Sequence, residues 1–157
     1  MDLKSKIILI SGPTASGKSK LALKIAKKIN GEIINADSMQ VYKELKILTA
    51  RPSEIDLKKI EHHLYGFRTV KKDFSSGEWL KSAKKNIKKI RDKNKIPVLV
   101  GGTGLYFKAL TDGLVKIPNI PISFRNKIRR MQISLGQKKF YSRLLKNDSL
   151  VKNRIDP

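Results

Sequence analysis

Cysteine is absent from this sequence, so neither a disulfide framework nor a cysteine-held metal can organise the fold. Long hydrophobic runs are absent too. No stretch approaches the roughly 20 apolar residues that span a bilayer, and the opening "MDLKSK" has no secretory h-region. A cytoplasmic protein is the expectation. Acidic residues are scarce: 13 Asp and Glu stand against 35 Lys and Arg, a formal net charge of +22. Such a surplus suits a polyanionic partner such as RNA. A lysine-rich composition would produce much of it unaided, since 27 of the basic residues are Lys and 8 are Arg. Solvated helix faces such as "KSAKKNIKKIRDKNK" (81–95) look like that. At 157 residues the chain is long enough to bury a sizeable core.

What the sequence does contain begins with "LISGPTASGKSK" (9–20), which matches G-x-x-x-x-G-K-[ST] without a gap: Gly12, Pro13, Thr14, Ala15, Ser16, Gly17, Lys18, Ser19. Glycines at the first and sixth positions permit backbone angles and close approaches that a Cβ would forbid. Successive N–H groups can then curl around an anion, and the helix that follows adds its positive end. Lys18 brings a point charge to the terminal phosphates, and the Ser19 hydroxyl can ligate Mg²⁺. The flanks agree with this reading. "IILIS" (7–11) reads as a buried strand, and "KLALKIAKKI" (20–29) as an amphipathic helix with Leu21, Ile25 and Ile29 four apart and Gly31 as its stop.

Further along, strands and helices alternate. "GEIINAD" (31–37) reads as a second buried strand ending in a carboxylate. A short helix is expected over 53–61, and "HHLYGF" (62–67) fits an extended segment. His62 and His63 would face opposite sides there, one buried and one exposed, and could not readily share a metal. Ser75 and Glu78 form a capping box for a helix over 76–93 whose buried stripe is Leu80, Ala83, Ile87 and Ile90. "IPVLVGG" (96–102) is a third strand, and 104–113 a further helix. This rhythm predicts an α/β fold: a P-loop NTPase-like parallel sheet with helices on both faces.

Composition shifts at "VKIPNIPIS" (115–123). From 114 to 157 there are eleven basic and two acidic residues, with helical spacing at Phe124, Ile128 and Met131. The expected division is a P-loop α/β core over 1–114 and a basic helical RNA-binding segment over 115–157.

In an open parallel sheet the ligand crevice lies at the carboxyl ends of the strands. The first strand delivers the phosphate loop there, the second Asp37, and the third "GGTG" with Thr103. Asp37 could serve there as a base or as a metal-site residue, or could merely cap a helix, as Ser38 could equally do. "EIINAD" ends in Asp, as the strand bearing the Mg²⁺-linked Asp of a P-loop ATPase does, so a small-molecule kinase or an NTPase stays open.

"GPTASGKS", "NADSMQVYKELKILTARP", "HHL", "IPVLVGGTGLYFKALTDGL" and the closing "NRIDP" together resemble the tRNA dimethylallyltransferases, from Ile7 to Pro157. Members of that family transfer a dimethylallyl group from dimethylallyl diphosphate to the exocyclic amine of the adenosine 3′ of the tRNA anticodon. They usually continue well beyond this point. The resemblance therefore implies an amino-terminal piece or one product of a split gene, with a separate chain supplying the carboxyl-terminal half, and otherwise a monomer. It assigns diphosphate or nucleotide binding to the residues from Gly12 to Ser19, Mg²⁺ to Ser19, and catalysis to Asp37, Lys18 and Thr103. It assigns RNA contact to Asp37, Ser38, Met39, Gln40, Thr103 and Arg125, in the anticodon stem-loop of a tRNA. Arg125 could equally be one more solvated charge on a basic helix. A small-molecule kinase, an adenylate prenyltransferase and an inactive fragment remain the alternatives.

Overall fold

The computed structural model describes residues 6–115, 118, 120–152 and 154–155. Lys116, Ile117 and Asn119 of the proline-bearing segment, and Asn153, Asp156 and Pro157 of "NRIDP", lie outside the described residues. The chain divides into two compact units, Met1–Leu114 and Val115–Pro157.

The first unit holds four parallel strands: β1 (Ile8–Ser11), β2 (Gly31–Asn35), β3 (His62–His63) and β4 (Ile96–Gly101), in the spatial order β1-β4-β2-β3. Between them run helices α1 (Lys18–Lys28), α2 (Glu54–Lys59) and α3 (Ser76–Asp92), and α4 (Gly104–Thr111) follows β4. Side chains alternate across a strand, and the two faces of the sheet divide accordingly. Ile34 and Leu99 join Trp79, Ala83, Ile87, Ile90 and Tyr106 on the α3–α4 side. Ile10, Ile33, Val98 and Val100 join Ala22 and Ala26 of α1 on the other. Helices thus cover both faces, as the burial of every residue of β2 and β4 requires.

Local chemistry sets the helix ends. Ser75 Oγ accepts the Glu78 amide while the Glu78 carboxylate accepts the Ser75 amide, completing the expected capping box. Ser53 caps α2 through the Asp56 amide.

Several expectations change. The buried face of α1 is Ala22 and Ala26, with Ile25 and Ile29 half-buried and Leu21 half-exposed, because a helix pressed close to a sheet selects small side chains at the contact. The left-handed residue ending that helix is Asn30 (φ 53°), not Gly31. Gly31 instead opens β2 where a Cβ would lie 2.8 Å from the Ile96 carbonyl oxygen. In α3 the stripe includes Trp79, fully buried, with Leu80 only half-buried. His62 and His63 are both half-buried: His63 reaches Glu32, and the His62 ring meets Tyr65 edge-on with centroids 5.5 Å apart.

The second unit is helical. α5 (Ile122–Asn147) is broken by non-helical angles at Gly136 (φ 70°, ψ 162°), and a short 3₁₀ turn follows at Ser149–Val151. No residue of α5 is buried. No helix among the described residues is long and apolar enough to cross a membrane.

Candidate active site

Three strand ends meet at one point. β1 runs into the loop 12–17, β2 into Asp37, and β4 into Gly102 and Thr103. A Cβ placed on Gly102 would stand 3.4 Å from the Gly12 carbonyl oxygen and 3.9 Å from Asp37 Oδ2. One on Gly101 would overlap the Ala36 carbonyl, so β4 can close on the end of β2 only with glycine there. The expected convergence at the carboxyl ends of the strands is thereby drawn in atoms.

The loop itself has the strained backbone of an anion cradle. Ala15 (φ 63°) and Gly17 (φ 80°) are both left-handed, and the Ser16 amide turns back to the Pro13 carbonyl at 3.4 Å. α1 starts directly after it, with the Leu21 amide donating to the Gly17 carbonyl at 3.1 Å. Lys18 Nζ donates to the Pro13 carbonyl at 2.8 Å, so its ammonium is folded over the loop. The first turn of α1 contains no acidic residue to compete with an anion.

Asp37 caps no regular helix. Its Oδ1 accepts the Met39 amide at 2.9 Å, a turn that leaves Oδ2 toward Gly102. Thr103, at the start of α4, spends its hydroxyl away from that helix: Oγ1 accepts the Ser38 amide at 2.9 Å and donates to Ser38 Oγ at 3.3 Å. Gln40 is tied at both ends, its carbonyl to the Gly66 amide (2.9 Å) and its Nε2 to the Thr49 carbonyl (2.8 Å). Met39 is half-exposed.

A cavity of about 640 Å³ opens between these groups. Thr14, Ala15, Gly17, Lys18 and Ser19 line one side, and Asp37, Met39 and Gln40 the other. Leu45, Leu48, Thr49 and Ala50 close it. Ser38 and Thr103, hydrogen-bonded to each other, are not among its lining residues. Arg125 is exposed on the first turn of α5, in the second unit. A larger groove of about 1070 Å³ runs along α1 and shares Gly17, Ser19, Lys20 and Ala50 with this cavity. Its one carboxylate, Asp56, is bound to Ser53 and Lys59. The smaller cavity sets the Asp37 carboxylate opposite the phosphate loop.

Two phenols not singled out from sequence flank Asp37. Burial, then the neighbouring Tyr42 and Asp37, pushes Tyr106 up to about 12. Burial and Asp37 raise Tyr65 further still. Both are neutral at physiological pH and add no negative charge beside the carboxylate. Asn35, also missed, was legible as the one uncharged polar residue inside the buried run "EIIN", and it lies fully buried beneath Asp37.

For a divalent cation the cavity offers Ser19 Oγ and the Asp37 carboxylate, hard oxygen donors suited to Mg²⁺ when a diphosphate supplies the remaining ligands. Among the described residues the one cluster of three metal-type side chains, Glu32, Glu61 and His63, lies at the amino ends of the strands. Lys93 and Lys95 already occupy it.

A G-x-x-x-x-G-K-S loop at the end of β1 and a carboxylate facing it from the end of β2 mark a P-loop NTPase-like α/β fold. The particular family follows from comparison: the IPP transferase family model matches residues 40–157, and the chain belongs to that family. Identity extends over the loop as well. The chain is 65% identical over all its 157 residues to the tRNA dimethylallyltransferase of Pelagibacter ubique, of which it spans 50%. It is 47% identical over 150 residues to that of Allorhizobium ampelinum, covering 96% of this chain and 49% of the relative. Among solved structures, the full-length tRNA isopentenylpyrophosphate transferase of Bacillus halodurans aligns with a TM-score of 0.70 at 33% identity, over 97% of this chain and 50% of that one. A eukaryotic dimethylallyltransferase captured acting on tRNA aligns with a TM-score of 0.80 at 30% identity, over 96% and 38%. The chain spans about half the length of the curated relatives it matches.

Proposed function

We propose that this chain carries the donor-binding and catalytic core of a tRNA dimethylallyltransferase. The observation that carries the reading is the shared cavity: a phosphate loop on one side, a single carboxylate on the other, and an apolar wall of Met39, Leu45 and Leu48 between. A nucleotide kinase needs no such wall. An allylic diphosphate has an anionic end for Lys18 and the loop amides and a hydrocarbon end for the leucines.

In the proposed reaction the exocyclic amine of adenine attacks the allylic carbon. A C–N bond forms, the C–O bond to diphosphate breaks, and the amine proton passes to Asp37. The leaving oxygen gathers negative charge where the loop N–H groups and Lys18 lie, so their attraction is strongest in the transition state. Mg²⁺, held by Ser19 and the diphosphate, would neutralise more of that charge. The amine's lone pair is delocalised into the ring, and a carboxylate that removes its proton restores its nucleophilicity. The adenine must leave the anticodon stack to arrive there, a cost of a few kcal/mol that is smaller in a loop. Ser38, Met39 and Gln40 contact the RNA in this reading, Thr103 orders that segment, and Arg125 and the basic second unit hold phosphates.

The test is transfer of labelled dimethylallyl from its diphosphate to an anticodon stem-loop, by the chain alone and by the chain fused to the carboxyl-terminal half of the Pelagibacter relative. Prenylated adenine from the fusion supports the reading. Phosphoryl transfer from ATP to a small acceptor, with no prenylated product, overturns it.

A further inference from the structure

Asn35 makes no contact with the cavity, yet each polar atom of its side chain is committed to the segment that carries Asp37. Asn35 Oδ1 accepts the Asp37 amide at 2.9 Å. Asn35 Nδ2 donates to the Asp37 carbonyl at 2.9 Å and to the Leu64 carbonyl at 3.0 Å. Both sides of the Asp37 peptide unit are therefore gripped by one amide, which a side chain two residues earlier in a regular strand does not ordinarily do. The amide is itself fixed: Asn35 is fully buried, and its own carbonyl accepts the Trp79 indole N–H at 2.9 Å. Trp79 is clamped in turn by a stacked Tyr106, with ring centroids 4.2 Å apart and planes within 10°.

The third partner shows what the arrangement costs. Leu64 sits at φ 63°, a left-handed conformation that a side chain with a Cβ adopts only against steric strain. Its carbonyl accepts the second Asn35 proton there. The chain then returns along the Asp37 loop, with the Gly66 amide on the Gln40 carbonyl and the Arg68 amide on the Val41 carbonyl, both at 2.9 Å. One buried amide thus joins the end of β2 to the segment that braces residues 38–43.

We infer that Asn35 is a positioning residue for the reaction, holding the Asp37 peptide so that its carboxylate faces the phosphate loop, which itself holds the donor. The inference rests on the proposed role of Asp37 as the base. Three hydrogen bonds from a preformed amide set a direction that the Asx turn to Met39 alone would leave loose, and a misplacement of about 1 Å can cost a hundredfold in rate. Neither the loop from Gly12 to Ser19 nor Lys18 touches Asn35, so donor affinity should not depend on it.

Two variants separate positioning from mere stability: Asn35→Ser, which shortens the grip, and Asn35→Asp, which keeps the volume but removes both donated protons. In the chain itself, amide exchange of Asp37 and Met39 should quicken at least about tenfold, while diphosphate affinity by calorimetry changes less than about twofold. In the fusion, the turnover number should fall at least about tenfold with the donor KM within about twofold. Uniform quickening at Val98 and Leu99 as well as Asp37 would mean general loosening of the sheet and overturn the inference, as would an unchanged Asp37 amide. Should Asp37→Asn leave transfer intact, the proposed base fails, and the exchange data still decide whether Asn35 holds the segment.

Discussion

At the amino ends of β2, β3 and β4, charge is turned inward. Glu32, fully buried, accepts Lys95 Nζ at 2.8 Å, Lys93 Nζ at 3.2 Å and His63 Nε2 at 2.7 Å, and Glu61 takes a second hydrogen bond from Lys93 at 2.9 Å. At the carboxyl ends of β1, β2 and β4 the opposite holds. Among the described residues no ion pair reaches Asp37 or Lys18: the carboxylate accepts a backbone amide and the ammonium rests on a backbone carbonyl. A buried carboxylate must be paired if it is to stay ionised, so the first end is satisfied by its own side chains. Groups left for a substrate cannot also be satisfied in its absence. One pole of the sheet is closed by its own ion pairs, and the other leaves Asp37 and Lys18 on backbone groups alone, as the proposed reaction requires.

That contrast predicts effects of different kinds at the two poles. The largest belongs to the proposed base. In the fusion, Asp37→Asn should lower the turnover number about a thousandfold, or ~4 kcal/mol of barrier, within the range for general-base removal, while the donor KM moves less than about twofold. A collapse of donor affinity instead would place Asp37 in the metal site. Next comes the cradle. Lys18→Ala should weaken Mg²⁺-diphosphate binding by at least about a hundredfold, ~2.7 kcal/mol, and leave the melting temperature within about two degrees; calorimetry and a thermal scan check both halves.

At the other pole the same kind of change should strike stability and spare binding. Burial alone would raise the Glu32 carboxyl, but hydrogen bonds from Lys95, His63 and Lys93 outweigh it and bring the group to about 2. A folded value below the unfolded 4.5 means that this carboxylate stabilises the fold fully above about pH 4.5 and loses that contribution as pH falls toward 2. Glu32→Gln should cost on the order of 2 kcal/mol at pH 7, since the lysine partners are partly exposed and screened. It should also flatten the acid limb of the denaturation curve between those values, with diphosphate affinity unchanged. Denaturant melts across pH 2 to 7 would show it.

The smallest effect concerns discrimination. Eleven basic residues against two acidic ones over 114–157 supply phosphate contacts, which position without reading sequence. A cognate anticodon stem-loop should therefore beat a scrambled one by less than about tenfold, ~1.4 kcal/mol, on this chain. Binding should fall steeply with salt, and removal of 115–157 should abolish most of it. A salt-insensitive preference for the cognate loop would move recognition to residues 37–42 and Thr103.

Much of the architecture was legible in the residues because it rests on local rules. The phosphate loop is a contiguous motif whose glycines and lysine need no distant partner to be recognised. The apolar run of β4 and the Ile33–Ile34 pair of β2 announce strands covered on both faces, and Ser75 with Glu78 announces the start of α3. Asp37 and Thr103 could be named because they follow such strands, at the end of the sheet where parallel topology gathers its loops. What the residues did not disclose depends on which groups meet across the chain. That Trp79 rather than Leu80 fills the core, and that His63 belongs with Glu32, 31 positions away, follow from helix rotation and strand register. Each is fixed by packing over the whole sheet. Asn35 was visible as a polar residue in an apolar run, but its purpose emerged only with the Leu64 carbonyl and the Asp37 peptide beside it. Periodicity and motif determine which elements form and which ends carry charge; close packing in three dimensions decides which charge is spent on the fold and which is left for a substrate.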